Sequence, residues 1–284
     1  MSPGRKGWVA VALVAGLIAL TAGVFSRFLG RKRLRFPYLT SSIAAAEYQR
    51  LASEPGWSAR QINVAPGIRL NGLVRPPKAS AAPWVLFYQG NDSHMLSVGQ
   101  AFLTRVAADQ DWGLAVYAYR GYDSSDGVPH LADLAADAPE ILTQLCATEK
   151  VDRSHVHLVG FSIGGHLAAR AMAAAQALQP KPASLSLLAA ADDIVMFRRS
   201  FYAKLDPGDD MQTRPFLDAV PAPVLVIQGT ADEALGGPQQ GRDIAAKLGG
   251  RAKYLELPGV GHTALLSNEA ATSAVRDFIA SHSK

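Results

Sequence analysis

Three residues whose side chains can act together in covalent catalysis occur in the order serine, aspartate, histidine, each shortly after an apolar run. Ser162 lies at the centre of GFSIG, residues 160–164, which fits the pattern G-x-S-x-G. Asp232 closes the stretch VLVIQGTAD, and His262 closes the stretch YLELPGVGH. A serine hydroxyl becomes nucleophilic when a histidine takes its proton and an acid orients that histidine. The three residues together therefore predict nucleophilic attack on an acyl group.

Each of these residues carries little information when it is taken alone. A glycine-rich loop can contain a serine by chance, an aspartate after a strand is usually a helix cap or turn former, and a histidine beside glycines usually lies in a surface turn. The chain contains seven histidines, so one more at a strand end is unremarkable. The joint occurrence and its order favour catalysis. Asp192 and Asp193, which follow another apolar run, are the alternative candidates for the acid.

The elements that would position these residues are short apolar runs separated by stretches with helical spacing. RQINV and IRLNGLV, on either side of Ala65-Pro66-Gly67, predict a hairpin. Six buried strands are predicted after it: WVLFYQG (84–90), GLAVYAY (113–119), HVHLVGF (155–161), SLSLLAA (184–190), PVLVIQG (223–229) and AKYLELP (252–258). Apolar runs between helices are typical of a mostly parallel sheet covered on both faces. We therefore predict an α/β fold with eight strands, and functional groups at their carboxyl ends.

The N-terminal segment differs in composition from the rest of the chain. Residues 8–25, WVAVALVAGLIALTAGVF, are uncharged and largely apolar, which predicts a transmembrane helix, with a cleaved signal peptide as the alternative. Residues 1–35 would then form a membrane anchor, residues 36–60 a linker with a short helix, and residues 61–284 the catalytic domain with a small cap-like insert at 191–220. The predicted localisation is a single-pass membrane protein. Basic residues after the span favour a cytoplasmic catalytic domain, and a periplasmic or extracellular one stays open.

Composition narrows the functional class. The 284 residues suffice for one large core, and a hydrophobic content of 49% excludes a disordered chain. Seven basic residues precede the first acidic one, Glu47, and the remainder holds 21 basic and 24 acidic residues, so the net charge of +4 belongs to the N-terminal segment and does not indicate nucleic-acid binding. Because Cys146 is the single cysteine, no intramolecular disulfide can form, and we predict that its side chain packs in the hydrophobic core. No metal or other cofactor is predicted, because no histidine spacing is typical of a zinc site.

Five motifs in register carry a resemblance to a known family. They are FYQGND (87–92), YRGYDSSDG (119–127), GFSIG (160–164), GTAD (229–232) and GVGH (259–262). Over most of residues 60–284 the chain resembles the α/β-hydrolases, and within them the membrane-associated serine hydrolases related to lysophospholipases and protein depalmitoylases. Two positions depart from that pattern: Gln89 stands where the family usually has histidine, and Asp123 replaces a common glycine, which would alter the rim of the pocket. We interpret the YRGYDSSDG loop as structural, because its residues favour turns.

The mechanism that these residues would support assigns each of them a role. Ser162 would be the nucleophile, His262 the general base and then acid, and Asp232 the group that orients the imidazole. The backbone N–H groups of Asn91 and Ile163 would bind the oxyanion. The predicted activity is hydrolysis of an acyl ester or thioester of a small or lipid-like substrate. The alternatives are a serine peptidase of the same fold and a non-catalytic binding protein. The sequence does not predict the oligomeric state.

Overall fold

The computed structural model describes residues 33–34, 38–192, 204–205 and 211–283. Its main sheet has eight strands, which are β2 (Ser58–Ala65), β3 (Ile68–Arg75), β4 (Trp84–Tyr88), β5 (Gly113–Tyr117), β6 (Val156–Phe161), β7 (Ser184–Leu188), β9 (Val224–Gly229) and β10 (Ala252–Leu257). Two short strands, β1 (Arg33–Leu34) and β8 (Lys204–Leu205), pair in parallel outside it. The described helices are α1 (Ala45–Ala52), α2 (Met95–Ala107), α3 (Leu131–Glu149), α4 (Ile163–Ala174), α5 (Arg214–Leu217), α6 (Gln239–Leu248) and α7 (Glu269–Ser281).

The order of the strands confirms the predicted fold class. Along the sheet it runs β10-β9-β7-β6-β4-β5-β3-β2, and β3 runs opposite to the other seven strands of this sheet. The strands β4 to β7 and β9 are buried along their whole length, as expected of a parallel sheet covered on both faces. The predicted hairpin is β2 and β3, and the six apolar runs are the remaining strands.

The helices form two layers, one on each face of the sheet. Helices α2 and α7 contact each other, while α3, α4, α5 and α6 form a connected series. The contacts of α4 with β4, β6 and β7 place it against the middle of the sheet, directly after the strand that carries GFSIG. The centre of the fold is therefore the point at which β6 gives way to α4.

The predicted membrane localisation needs correction. Within the residues that the structure describes, no helix combines the length and the apolar character needed to cross a membrane. The segment predicted to span it, residues 8–25, lies outside those residues, as does most of the predicted cap-like insert, at 193–203 and 206–210. We therefore withdraw the single-pass localisation. The division into an anchor, a linker and a catalytic domain stays a prediction.

Candidate active site

Ser162 occupies a strained turn between β6 and α4. Its φ of 55° and ψ of −122° place a non-glycine residue in a region that costs about 1–3 kcal/mol, so the surroundings must hold it there. The N–H of Ser162 donates to the carbonyl of Leu188 at 3.0 Å, and its carbonyl accepts the N–H groups of Gly165 and Ala191, each at 3.0 Å. The turn is thus fixed both by its own helix and by the end of the neighbouring strand β7.

The two glycines of GFSIG are required by close backbone contacts. A Cβ on Gly164 would lie 2.0 Å from the carbonyl oxygen of Tyr88 and 2.4 Å from that of Gln89. A Cβ on Gly160 would lie 2.4 Å from the carbonyl oxygen of Gly164. No side chain fits at either position without moving the backbone, because these distances are well inside van der Waals contact. The pattern G-x-S-x-G is therefore explained by packing between β4, β6 and α4.

His262 and Asp232 contact each other, as their positions after β10 and β9 predict. The imidazole Nδ1 of His262 lies 2.8 Å from Oδ2 of Asp232, whose side chain is fully buried. The same Oδ2 accepts the side-chain N–H of Gln228 at 2.8 Å, and Oδ1 accepts the backbone N–H of Leu235 at 3.0 Å. Three donors converge on one carboxylate, which matches an ionised, acceptor-only group. The arrangement also fixes the plane of the imidazole, because Nδ1 has one well-placed acceptor.

Ser162 and His262 open onto one cavity of about 200 Å³. Its lining residues are Gly90, Asn91, Asp92, Phe161, Ser162, Ile163, Ala191, Ala234, Leu235, His262 and Thr263. The ring of Phe161 lies 4.8 Å from that of His262, between centroids, so the imidazole packs on an apolar wall. Four of the five predicted site residues thus line the same space, and the fifth, Asp232, lies behind His262.

The two predicted oxyanion donors lie at the ends of different elements beside the serine. Ile163 is the first residue of α4, where backbone N–H groups have no partner within the helix. Asn91 follows β4, and its side-chain oxygen accepts the N–H of Leu39 at 2.8 Å and the hydroxyl of Tyr122 at 2.6 Å. These contacts hold Asn91 at the edge of the cavity. Its role as an oxyanion donor stays a prediction.

The two departures from the family pattern have structural consequences. Gln89 is fully buried, its Oε1 accepts the N–H of Gly90 at 2.8 Å, and among the described residues its Nε2 has no hydrogen-bond partner. Asp123 does not line the cavity, contrary to the expectation of an altered rim. Its carboxylate accepts the N–H of Leu96 at 2.7 Å and the hydroxyl of Ser41 at 2.9 Å. Asp123 therefore ties the start of α2 to the segment before α1.

The alternative acid, Asp192, faces away from His262. Its Oδ1 accepts the backbone N–H groups of Thr213 at 3.0 Å and Arg214 at 2.8 Å, and its Oδ2 pairs with the guanidinium of Arg214. The hydroxyl of Thr213 donates to the carbonyl of Ala191 at 2.6 Å. Asp192 is therefore the centre of a structural contact between the end of β7 and the start of α5. The other alternative, Asp193, lies outside the described residues.

Sequence reasoning missed two glutamines that support the site. Gln228 is a fully buried polar residue within β9 and donates to Asp232, as described above. Gln240 accepts the N–H of Asp192 at 2.9 Å and donates to the carbonyl of Leu235 at 3.0 Å, so it connects the ends of β7 and β9. A polar residue in an otherwise apolar run, as in VLVIQG, was the available signal for Gln228.

The remaining candidates for chemistry lie in structural contexts. Burial raises the pKa of the Cys146 thiol to about 11, which keeps it protonated at neutral pH. His157 is buried, and its Nδ1 lies 2.7 Å from the hydroxyl oxygen of Ser184. The Nδ1 of His155 lies 3.0 Å from the carbonyl oxygen of Ala81. Over the part of the chain that the structure describes, no group of three or more His, Cys, Asp or Glu residues could hold a metal ion.

A larger cavity lies away from all predicted site residues. It measures about 590 Å³, and its walls include Trp57, Arg75 and Arg105. Among the described residues that line it, Ser97 is the one serine and none is a histidine, so these walls bring no serine and histidine together. The smaller cavity is therefore the candidate active site, despite its size.

Comparisons with known proteins agree with this fold. A family model described as TAP-like protein matches residues 206–283. An uncharacterised protein of Mycobacterium tuberculosis is 27% identical over 275 residues, 94% of either chain. The alpha/beta hydrolase domain-containing protein WAV2 of Arabidopsis thaliana is 27% identical over 107 residues, which cover 36% of this chain and 33% of that protein. The esterase Pf2001 of Pyrococcus furiosus superposes with a TM-score of 0.67 at 14% identity, covering 89% of this chain and 98% of that chain.

The chain has the fold of the α/β-hydrolases and is similar in sequence to members of that superfamily. The resemblance drawn from the five sequence motifs is confirmed at this level. The narrower likeness to lysophospholipases and depalmitoylases stays a prediction. The comparisons support hydrolysis as the general class of activity.

Proposed function

We propose that this protein is a serine hydrolase that cleaves carboxylic esters or thioesters through a covalent acyl-enzyme intermediate. The observation that carries the proposal is the common opening of Ser162 and His262 onto one cavity, with the imidazole bound to a buried carboxylate at 2.8 Å. The likeness to the fold of an esterase agrees with this proposal.

The mechanism begins with proton transfer from Ser162. His262 accepts the hydroxyl proton as the serine oxygen attacks the acyl carbon, and Asp232 stabilises the imidazolium without itself taking a proton. The N–H groups of Asn91 and Ile163 stabilise the negative charge on the former carbonyl oxygen, an effect typically worth 10²–10³-fold in rate per donor. His262 then protonates the leaving alcohol or thiol. Water repeats the sequence on the acyl-enzyme and releases the acid.

The cavity sets a limit on the part of the substrate next to the reacting bond. A volume of about 200 Å³ is below the roughly 300–1,000 Å³ of sites that enclose a drug-sized ligand. We therefore propose that the described residues enclose a short acyl or alcohol group, and that any longer chain extends out of the cavity. Short-chain esters are accordingly the first substrates to test.

Covalent labelling tests the proposal directly. The purified protein and its Ser162→Ala variant would be treated with a fluorophosphonate probe, and the adduct located by peptide mass mapping. We expect label on Ser162 alone and none on the variant, together with hydrolysis of p-nitrophenyl butyrate by the native protein only. Circular dichroism would show that both proteins are folded. A folded native protein that takes no label and hydrolyses no ester would overturn the proposal in favour of a binding protein.

A further inference from the structure

The candidate active site contains one carboxylate that the proposed mechanism does not use. Among the described residues that line the cavity, Asp92 has the only carboxylate, and none is a lysine or an arginine. Its neighbours in the wall are apolar or neutral, apart from the reacting pair Ser162 and His262. The electrostatic character of the opening is therefore set largely by Asp92.

One of the two oxygens of the Asp92 carboxylate accepts a hydrogen bond within the described residues, and the other does not. Its Oδ1 accepts the backbone N–H of His94 at 2.8 Å, which forms a turn before α2. No hydrogen bond engages Oδ2 among the described residues. The nearest basic group there is the imidazole of His94, whose Nδ1 lies 3.8 Å from Oδ1 and whose side chain is 75% exposed. An asparagine would form the same turn, so the turn does not explain the negative charge.

We propose that Asp92 selects substrates that carry a cationic group, such as an ammonium, close to the reacting ester bond. This inference rests on the proposed function and adds a substrate class to it. The Asp92 side chain is 38% exposed, so it is partly screened by solvent and partly shielded by the wall of the cavity. A cation held a few ångströms from it gains Coulomb energy, while an anionic substrate is repelled. No lysine or arginine among the described lining residues offsets this charge.

Two pairs of matched esters test the selection. The first pair is butyrylcholine and its uncharged isostere, in which a quaternary carbon replaces the nitrogen of the alcohol. The second pair consists of two p-nitrophenyl esters. One has a quaternary ammonium group in its acyl part, and the other has a quaternary carbon in place of that nitrogen. In at least one pair we expect kcat/KM to favour the cation by about two- to fivefold, the upper part of the range for exposed opposite charges. The preference should shrink as ionic strength rises.

The variant Asp92→Asn removes the charge and keeps the turn. We expect it to lower the cation preference, measured as the ratio of kcat/KM within each pair, to about one. Asp109→Asn is the matched control, since it removes the same charge from an exposed aspartate just beyond the other end of α2. The control should retain the native preference.

The outcomes separate this inference from the proposed function. Hydrolysis of both members of each pair at equal rates by the native protein would overturn the role of Asp92 and leave the serine hydrolase intact. An equal loss of preference in Asp92→Asn and Asp109→Asn would also overturn it, because the effect would then come from net charge. Absence of fluorophosphonate labelling and of all ester hydrolysis would instead remove the proposed function.

Discussion

Among the described residues, two clusters at strand ends combine a buried aspartate with a histidine, and one of the two opens onto the cavity. The first, at the end of β9, consists of Gln228, Asp232 and His262, and we call it the β9 cluster. The second, at the end of β7, consists of His166, Asp192, Thr213 and Arg214, and we call it the β7 cluster. Both lie at the carboxyl ends of neighbouring strands of one sheet.

The clusters differ in what neutralises the carboxylate. In the β7 cluster the guanidinium of Arg214 pairs with Asp192, and two backbone N–H groups bind it as well. In the β9 cluster the partners of Asp232 within the described chain are an amide side chain, a backbone N–H and the imidazole of His262. The charge of Asp232 is therefore available to stabilise an imidazolium, and that of Asp192 is already compensated.

The clusters also differ in access. The side chain of His262 is 15% exposed and lines the cavity, whereas His166 is 2% exposed and its Nδ1 lies 3.1 Å from the hydroxyl oxygen of Thr213. Because that hydroxyl donates to Ala191, Nδ1 of His166 must carry the proton and donate to it. Burial, with a smaller effect of Arg170, lowers the pKa of His166 to about 3, so its imidazole stays neutral. The position of an aspartate after a strand thus does not distinguish the two candidates for the acid, but its partners and the access of its histidine favour Asp232.

The largest expected effect is that of Asp232→Asn in the β9 cluster, which we compare with the same substitution in the β7 cluster. The amide presents an N–H where the carboxylate presented an acceptor, so His262 loses its orienting partner and is held in the wrong tautomer. We expect kcat/KM for p-nitrophenyl butyrate to fall by about 10⁴-fold. Steady-state kinetics of the folded variant measure this. A loss smaller than tenfold would show that Asp232 is not the orienting acid.

Asp192→Asn should instead reduce stability. The asparagine loses the ion pair that Oδ2 makes with Arg214, and its neutral Oδ1 accepts the two backbone N–H groups more weakly than a carboxylate oxygen does. Hydrogen bonds to charged groups typically contribute about 1.5–3 kcal/mol each. We expect the free energy of unfolding in urea to fall by about 2 kcal/mol, and kcat/KM at a temperature well below the midpoint to stay within about threefold. A loss of activity comparable to that of Asp232→Asn, in a fully folded variant, would reverse the assignment of the two aspartates.

The sequence predicted the positions of Asp232 and His262 better than it predicted the side chains that hold the strand ends in place. Strand ends could be read from short apolar runs, because a parallel sheet buries both faces of each strand, and this placed Ser162, Asp232 and His262 at one edge. Both aspartates lie between Ser162 and His262, and the GTAD motif of the family resemblance favoured Asp232 over Asp192. The pairing of Asp192 with Arg214 could not be predicted, because the two residues are 22 positions apart in the sequence and no local pattern connects them. Gln240 was missed for the same reason, since it acts on residues from two other strand ends.

The smallest expected effect concerns the stability of the β7 cluster in acid. In the unfolded chain His166 titrates near pH 6.5, whereas in the folded protein its pKa is about 3, so between these values the unfolded state binds more protons. His166 therefore does not lower the free energy of unfolding above about pH 6.5. As the pH falls towards 3, this residue lowers it by at most about 1.4 kcal/mol per pH unit. In His166→Asn the amide N–H can still donate to Thr213, but the titrating group is gone. We expect urea denaturation of this variant between pH 4 and 5.5 to show a slope of free energy against pH that is lower by up to that amount. An unchanged slope would mean that His166 accepts a proton in the folded protein, and the β7 cluster would then not keep its histidine neutral.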